Sequence, residues 1–174
     1  SRHINDSIRL FGRGAEVVFA SHHWPTWGNE AVVAFLKGQR DLYRYIHDET
    51  LRLANHGFGP AEIAEMVELP EGIGGSFANR GYYGSVSHDV KAVYTFYLGF
   101  FDGNPATLIP LSPSDSAPLY VEMMGGSEKI MTKGRELIGQ GKYLHAVEIL
   151  DRLVFAEPRN QPARDLLADA YEQL

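Results

Sequence analysis

The sequence predicts a mostly α-helical protein, in which a short helix–strand segment precedes a helical bundle. Apolar residues recur at helical spacing from residue 29 to residue 56, a stretch of about seven turns. Residues 127–174 scan as three further helices, separated by glycine and proline. A run with strand character, Val17–Ala20, stands near the start. We therefore expect a helix content well above half.

The first 28 residues predict a helix followed by one strand. Ile4, Ile8 and Phe11 share a helical face, and two glycines then break the pattern before Val17–Ala20. A loop that contains a proline and a glycine follows the strand. Because a single strand has nothing to pair with, we expect this segment to be the tail of a larger α/β domain.

The long helix is predicted to begin with Asn29 as its N-cap and to end at Gly57. Its apolar stripe contains Val32, Leu36, Tyr43, Ile46, Thr50 and Leu53. A helix of this length exceeds the usual globular range, so we expect it to form the spine of an interface.

Proline and glycine divide the middle of the chain into shorter elements. Pro60 opens a helix over residues 61–67, and three glycines predict a loop over residues 71–76. Aromatic residues crowd a helix predicted over residues 89–101. Three prolines predict an irregular segment over residues 109–118, before a short helix that ends at Met124.

The three helices over residues 127–174 break at residues 139–142 and 158–160. Small and aromatic residues here have the spacing of a tetratricopeptide repeat, at Gly141, Tyr143, Ala146, Ala156 and Pro158. An array needs three or more such repeats to be stable by itself. We therefore expect this hairpin to cap the bundle.

The composition excludes several classes of function. The chain has 174 residues and a formal net charge of −6, which argues against binding to nucleic acid or to an anionic membrane surface. No apolar run approaches the roughly 20 residues that a membrane span needs. The absence of cysteine excludes disulfides, thiolate metal sites and cysteine nucleophiles, and it is compatible with either the cytoplasm or the periplasm.

Two adjacent histidines, His22 and His23, follow the apolar strand directly and enter the loop that contains Pro25 and Gly28. Such a position presents a metal ligand at the end of a buried strand. It equally suits a histidine that is hydrogen-bonded to a backbone carbonyl. The spacing alone leaves both interpretations open.

A second polar cluster precedes the aromatic helix and combines a guanidinium, two phenols and an imidazole: Arg80, Tyr82, Tyr83 and His88. These groups, in a glycine-containing loop that leads into a helix N-terminus, suit a tetrahedral oxyanion such as sulfate. In the alternative interpretation, Ser87 or His88 only caps the helix and the tyrosines belong to the core.

Several blocks of the chain resemble the linear alkylsulfatases, the dodecyl-sulfate hydrolases of the metallo-β-lactamase superfamily. The blocks occur in that family's order: ASHHWPTWGN (residues 20–29), QRDLYRYIHD (39–48), NRGYYG (79–84), HDVKAVY (88–94), DGNPA (102–106), FAEP (155–158) and LLADA (166–170). They cover nearly the whole chain, so the resemblance is specific.

The resemblance implies an internal fragment of a larger enzyme that hydrolyses linear alkyl sulfate esters to an alcohol and sulfate with two zinc ions. Residues 1–28 would end the catalytic domain, 29–125 would form the helical dimerisation domain, and 126–174 would be its tetratricopeptide-like unit. The expected partners are a second copy of the chain and the alkyl sulfate. The resemblance favours a periplasmic or secreted parent protein.

The resemblance also implies roles for individual residues. In the final ligand strand of the superfamily, the metal ligand lies three residues before a proline and six before a glycine, which assigns His22 as the zinc ligand. His23 would lie behind it or pack under Trp24. Arg80, Tyr82, Tyr83 and His88 would line the substrate mouth. The family's other metal ligands are a His-x-His-x-Asp-His cluster and acidic residues. This sequence does not contain that set of ligands.

Two other functions compete with this one. The repeat-like end and the acidic surface suit a non-catalytic helical interaction module. The His22 strand would also suit another metallo-β-lactamase-type hydrolase, such as a lactonase or a phosphodiesterase, but those relatives lack a helical insertion with the block of residues 80–88. We expect the chain alone to dimerise, to bind zinc only weakly and to be inactive.

Overall fold

The computed structural model describes residues 1–82 and 84–174 and is mostly helical, as predicted, with 67% of the chain in helices. In chain order the elements are α1 (Arg2–Phe11), β1 (Val17–Ala20), β2 (His23–Trp27), α2 (Asn29–Asn55), α3 (Pro60–Met66), α4 (Glu71–Gly74), α5 (Val86–Leu98), α6 (Pro113–Met123), α7 (Ser127–Gly139), α8 (Tyr143–Ala156) and α9 (Gln161–Tyr171). Two 3-10 turns, Phe77–Asn79 and Pro105–Thr107, complete them. Among the described helices none is long and apolar enough to cross a membrane.

The chain divides into two compact units, Ser1–Leu108 and Ile109–Leu174. The predicted boundaries after residues 28 and 125 follow the family resemblance and stay predictions.

The predicted strand is not isolated, which corrects the expectation that it lacks a partner. β1 pairs antiparallel with β2, with Val17 opposite Trp27 and Val18 opposite Thr26. Pro25, which predicted a loop, lies within β2 opposite an irregularity between Val18 and Ala20. Proline is tolerated in a strand at such an irregularity because no ladder N–H is needed there.

The long helix α2 begins one residue earlier than predicted. Gly28 is its N-cap, whereas Asn29 is the first helical residue and donates its side-chain amide to the carbonyls of Gly12 and Ala15, both at 2.9 Å. Gly57, with φ +90°, follows the end of the helix as expected. Four stripe residues are buried: Val32, Ile46, Thr50 and Leu53.

Tyr43 does not belong to the buried stripe of α2, because 52% of its surface is exposed. Leu42 and Tyr45 pack against the core on either side of it. The core of the first unit forms where α2, α3 and α5 meet, and its buried members are Ile46, Leu53, Ile63, Val67, Val90 and Tyr94.

The segment before α5 is more ordered than predicted. Residues 71–76, predicted to form a loop, contain the short helix α4, and the turn Phe77–Asn79 follows it. Helix α5 covers Val86–Leu98, three residues earlier than predicted at each end, because Ser85 caps it by accepting a hydrogen bond from the His88 amide at 3.3 Å.

The second unit contains α6 to α9, and the three helices predicted over residues 127–174 are present. The irregular segment predicted over residues 109–118 is wrong in its second half, because Ser112 caps α6 and Pro113 occupies its first turn. Pro118 lies inside this helix. Gly134 of α7 lets Leu150 of α8 approach closely, since a Cβ at Gly134 would lie 3.0 Å from it.

Candidate functional site

A cleft of about 380 Å³ in the first unit brings together the two segments with predicted site residues. One wall is the turn of the β-hairpin, residues 20–23, and the opposite wall is the loop that precedes α5. The floor is a face of α2 with Phe35, Gln39 and Ile46. Residues almost 60 positions apart in the sequence therefore border one space.

His22 stands at the tip of the hairpin and lines this cleft. Its side chain is exposed, and its Nδ1 atom lies 3.2 Å from the Ser21 hydroxyl. The hairpin fixes the backbone on both sides of the turn, and the Gly28 amide donates to the Glu16 carbonyl at 2.8 Å to close its base. The imidazole is thus held on a short, paired turn rather than on a free loop end.

His23 is placed differently from its neighbour. Its ring stacks on Phe35 of α2, with centroids 5.0 Å apart and an interplanar angle of 6°. Trp24, under which His23 was expected to pack, is 80% exposed. The aromatic ring on which His23 stacks is thus Phe35. The stacking docks the hairpin against α2.

A polar contact between α2 and the turn Phe77–Asn79 positions the opposite wall. The Gln39 amide donates to the Ala78 carbonyl at 2.9 Å and to Asn79 Oδ1 at 2.8 Å. Asn79 in turn donates to the Ile73 carbonyl at 2.9 Å and is only 5% exposed. We call Gln39 and Asn79 the amide latch. It fixes the residue directly before Arg80.

Arg80 and Tyr82 both line the cleft and are exposed. The ring of Tyr82 packs against Phe77 at a centroid distance of 5.2 Å. Tyr83, the second predicted phenol, lies outside the described residues. Among the described residues, the structure thus brings Arg80 and Tyr82 together with His22.

His88 does not line the cleft, in contrast to the other described members of its predicted cluster. Its backbone amide is held by the Ser85 cap, and its imidazole is exposed on the first turn of α5.

Asp89 is a cleft residue that sequence reasoning missed. Its carboxyl group is half-buried, and burial raises its pKa above the ordinary value, while the charge of His88 partly opposes this rise. The carboxyl group lies close to Gly84: a Cβ added at Gly84 would be 3.6 Å from Asp89 Oδ1. The signal in the sequence was its place one residue after His88, at the start of the helix.

The cleft does not by itself offer a complete metal site. Zinc sites in proteins use three or four ligand side chains, and the described residues contain no group of three or more His, Cys, Asp or Glu that could hold a metal ion. The exposed imidazole of His22 has the chemistry of one zinc ligand. The residues present therefore fit one ligand position and not a whole site.

Comparison with known proteins gives consistent matches along the whole chain. Residues 59–174 match the alkyl sulfatase dimerisation family. Over 174 residues the chain is 52% identical to a linear primary-alkylsulfatase of Pseudomonas sp. and 43% identical to an alkyl/aryl-sulfatase of Saccharomyces cerevisiae. It spans about a quarter of these relatives, 26% and 27% of their lengths.

A solved structure shows the same fold. The chain superposes on a stereoselective inverting sec-alkylsulfatase from Pseudomonas sp. with a TM-score of 0.93 and 41% sequence identity. The superposition covers 99% of this chain and 27% of that protein.

Proposed function

Because this chain belongs to the alkyl sulfatase dimerisation family, we propose that it is the dimerising part of a zinc-dependent hydrolase of linear alkyl sulfate esters. In this proposal the chain has two tasks. It joins two copies of the enzyme, and it supplies one wall of the substrate mouth together with one zinc ligand. The products would be an alcohol and inorganic sulfate.

The observation that carries the proposal is the shared cleft of His22 and Arg80. An imidazole that can bind a metal and a guanidinium that can bind an anion both line this one cleft. A sulfate ester bound there would have its anionic head near the Arg80 guanidinium. The names of the relatives, which are alkylsulfatases, support this choice of anion.

Arg80, Tyr82 and the start of α5 would each have a task in binding the sulfate group. Arg80 would bind the sulfate oxygens through charge-assisted hydrogen bonds, and the Tyr82 hydroxyl would donate a further one. The α5 N-terminus, with its cap at Ser85, adds a favourable dipole toward an anion. The zinc ions, when bound, would lower the pKa of a bound water and polarise the ester.

We choose a linear alkyl sulfate over other sulfate esters because the 52% identical relative is a linear primary-alkylsulfatase. The half-buried floor of the cleft, with Phe35 and Leu42, is compatible with an apolar group next to the sulfate.

The proposal is tested by replacing Arg80 in the full-length protein that contains this sequence. We expect Arg80→Gln to lower kcat/KM for dodecyl sulfate roughly 10- to 100-fold, since a hydrogen bond to a charged group contributes about 1.5–3 kcal/mol. The kcat/KM of Arg80→Lys should lie between those of Arg80→Gln and the unaltered protein, because lysine keeps the charge and loses the bidentate geometry.

The matched control is Arg135→Gln, which removes an exposed arginine of α7 in the second unit. It should leave kcat/KM unchanged. Equal activity of Arg80→Gln and the unaltered protein would reject Arg80 as the sulfate-binding group, and a full-length protein without alkyl sulfatase activity would reject the function.

A further inference from the structure

The cleft that His22 and Arg80 line also contains a carboxyl group, that of Asp89. Among the described residues of its lining, Asp89 is the one acidic side chain and Arg80 is the one lysine or arginine. With neutral imidazoles, the formal charges of these lining residues therefore cancel. Because a carboxylate repels an anion, the presence of Asp89 in a cleft for sulfate needs a reason other than binding strength.

Helix α5 fixes the position of the Asp89 side chain. Asp89 lies in the first turn of this helix, and its backbone amide donates to the Ser85 carbonyl at 2.9 Å. Its carboxyl group lies beside Gly84, four residues after Arg80, where an added Cβ would be 3.6 Å from Oδ1 and 3.9 Å from Oδ2. The carboxyl group is thus held on a capped helix, next to the loop that begins at Arg80.

The charge of Asp89 is not neutralised by a partner within the described part of the chain. Neither Asp89 nor Arg80 forms a side-chain hydrogen bond or an ion pair with another described residue. Burial raises the pKa of Asp89, and the charge of His88 only partly opposes this rise. A half-buried carboxyl group that faces a cleft without a cationic partner is typical of a functional position. Both charges are therefore available to act on a bound ligand.

Electrostatic attraction favours the wrong ligand in a sulfatase cleft that contains only positive groups. A sulfate monoester carries one negative charge, whereas the inorganic sulfate that it releases carries two. A guanidinium and a helix N-terminus, acting alone, would attract the dianion more strongly than the head group of the ester. The product would then compete with the substrate for the cleft.

We propose that Asp89 determines the charge selectivity of this cleft, because its carboxylate repels a dianion twice as strongly as a monoanion at the same place. Asp89 thereby favours a singly charged sulfate ester over inorganic sulfate and over other dianions, such as a phosphate monoester. This inference rests on the proposed function, in which Arg80 binds the sulfate group. It adds how the cleft distinguishes the substrate from the product.

A carboxylate in the first turn of a helix also stabilises the helix through its dipole. If this were the only role of Asp89, neutralising it would lower the stability of the protein and would change the binding of a monoanion and of a dianion by the same factor. The selectivity role requires two different factors. The two roles therefore differ in a ratio of dissociation constants that can be measured.

The test measures the dissociation constants of two probes for the full-length protein that contains this sequence, by titration calorimetry at pH 8. Decanesulfonate carries one negative charge and has no ester bond to hydrolyse, and inorganic sulfate carries two charges. Asp89→Asn should tighten the binding of decanesulfonate about 3-fold, as for the loss of a charge about 7 Å away in a water-filled cleft. It should tighten the binding of sulfate about 10-fold, because the factor for two charges is roughly the square of the factor for one.

Three further variants separate charge from side-chain size and from folding. Asp89→Ser removes the same charge through a smaller side chain and should change both constants as Asp89→Asn does. Asp89→Glu keeps the charge and should keep the selectivity of the unaltered protein. The matched control is Glu128→Gln, which neutralises an exposed carboxylate in the first turn of α7. It should leave both dissociation constants unchanged.

Either of two results would overturn the inference. The first is a change by the same factor for both probes, or no change, in Asp89→Asn and Asp89→Ser. The second is an equal gain in sulfate binding in Glu128→Gln, which would make the effect one of net charge. Hydrolysis of dodecyl sulfate by the unaltered protein is assayed separately. Its absence would reject the proposed function, whereas hydrolysis without the expected difference between the probes would reject only the role of Asp89.

Discussion

The adjacent residues His22 and His23 have the same side chain but different surroundings. His22 stands at the tip of the hairpin and faces the cleft, whereas His23 is stacked on Phe35. Both side chains border the cleft, but His22 lies in the turn between the two strands, whereas His23 begins β2 and its ring is fixed by the stack on Phe35. The position proposed for a metal ligand therefore directly precedes a position that packs against α2.

We expect His22→Ala to abolish alkyl sulfate hydrolysis in the full-length protein and to lower its zinc content, since the variant would remove a ligand of the site. His23→Ala is the matched neighbour. It should reduce zinc content less, because it removes a stacking contact rather than a ligand. Metal analysis of both purified variants measures the difference, and equal zinc loss in the two would refute the assignment of His22.

Glu157 is a second residue with a measurable consequence. The Ser127 hydroxyl and the Asn160 side-chain amide both donate to its carboxylate, the latter at 2.7 Å, and these hydrogen bonds lower its pKa. Because the charged form is stabilised in the folded state, Glu157 contributes fully to the free energy of unfolding above the ordinary pKa of a glutamate. This contribution is lost as the pH falls through the lowered pKa of the folded state.

Glu157→Gln should therefore destabilise the chain by about 1 kcal/mol at pH 7 and by less near pH 3, since a charge-assisted pair is replaced by a neutral one. The comparison uses urea unfolding at both pH values. Glu122→Gln, on an exposed face of α6, provides the control. It should leave the difference in the free energy of unfolding between the two pH values unchanged. A Glu157→Gln variant with the same loss at both pH values would contradict the account.

At the scale of elements, the amide latch positions one wall of the cleft. It joins α2 to a 3-10 turn through residues 40 positions apart in the sequence. The latch determines where the chain enters the Arg80 loop, and helix α5 begins six residues after Arg80 with its own cap. The wall of the cleft is thus held at both of its ends.

Asn79→Ala should destabilise the chain by about 1–3 kcal/mol, because it leaves the half-buried Gln39 amide and the Ile73 carbonyl each short of one partner. Chemical unfolding measures the loss. Asn5→Ala removes an exposed asparagine of α1 and should change stability by less than about 0.5 kcal/mol. If the two variants were equally stable, the latch would have no structural role.

At the scale of the whole molecule, the chain divides into two compact units, and the cleft lies in the first of them. The described part of the chain offers one ligand side chain at the cleft and no cluster of three. The described residues therefore offer one position of a zinc site and not a complete site.

We expect the purified 174-residue chain to be strongly helical and to lack both tightly bound zinc and dodecyl sulfate hydrolysis. One imidazole cannot replace the three or four ligands that zinc needs. Circular dichroism, metal analysis after dialysis and an activity assay test these three points on one preparation. A stoichiometric zinc content would reveal a metal site other than the one proposed, and a spectrum dominated by β-structure would contradict the fold.

The sequence by itself determined the helical class, the bounds of most helices and the family, because helical periodicity, caps and contiguous motifs are local properties. It also singled out His22, Arg80 and Tyr82 as residue types suited to a metal and an anion. Only the tertiary structure decided that β1 has a partner, that Pro113 starts a helix, and that His88 turns away while Asp89 enters the cleft. These outcomes depend on strand register, on a cap of three-residue reach and on the amide latch between distant segments. The cap at Ser112 is a local signal that the three prolines of this segment obscured, whereas strand pairing and the lining of the cleft join segments that meet only when the chain has folded.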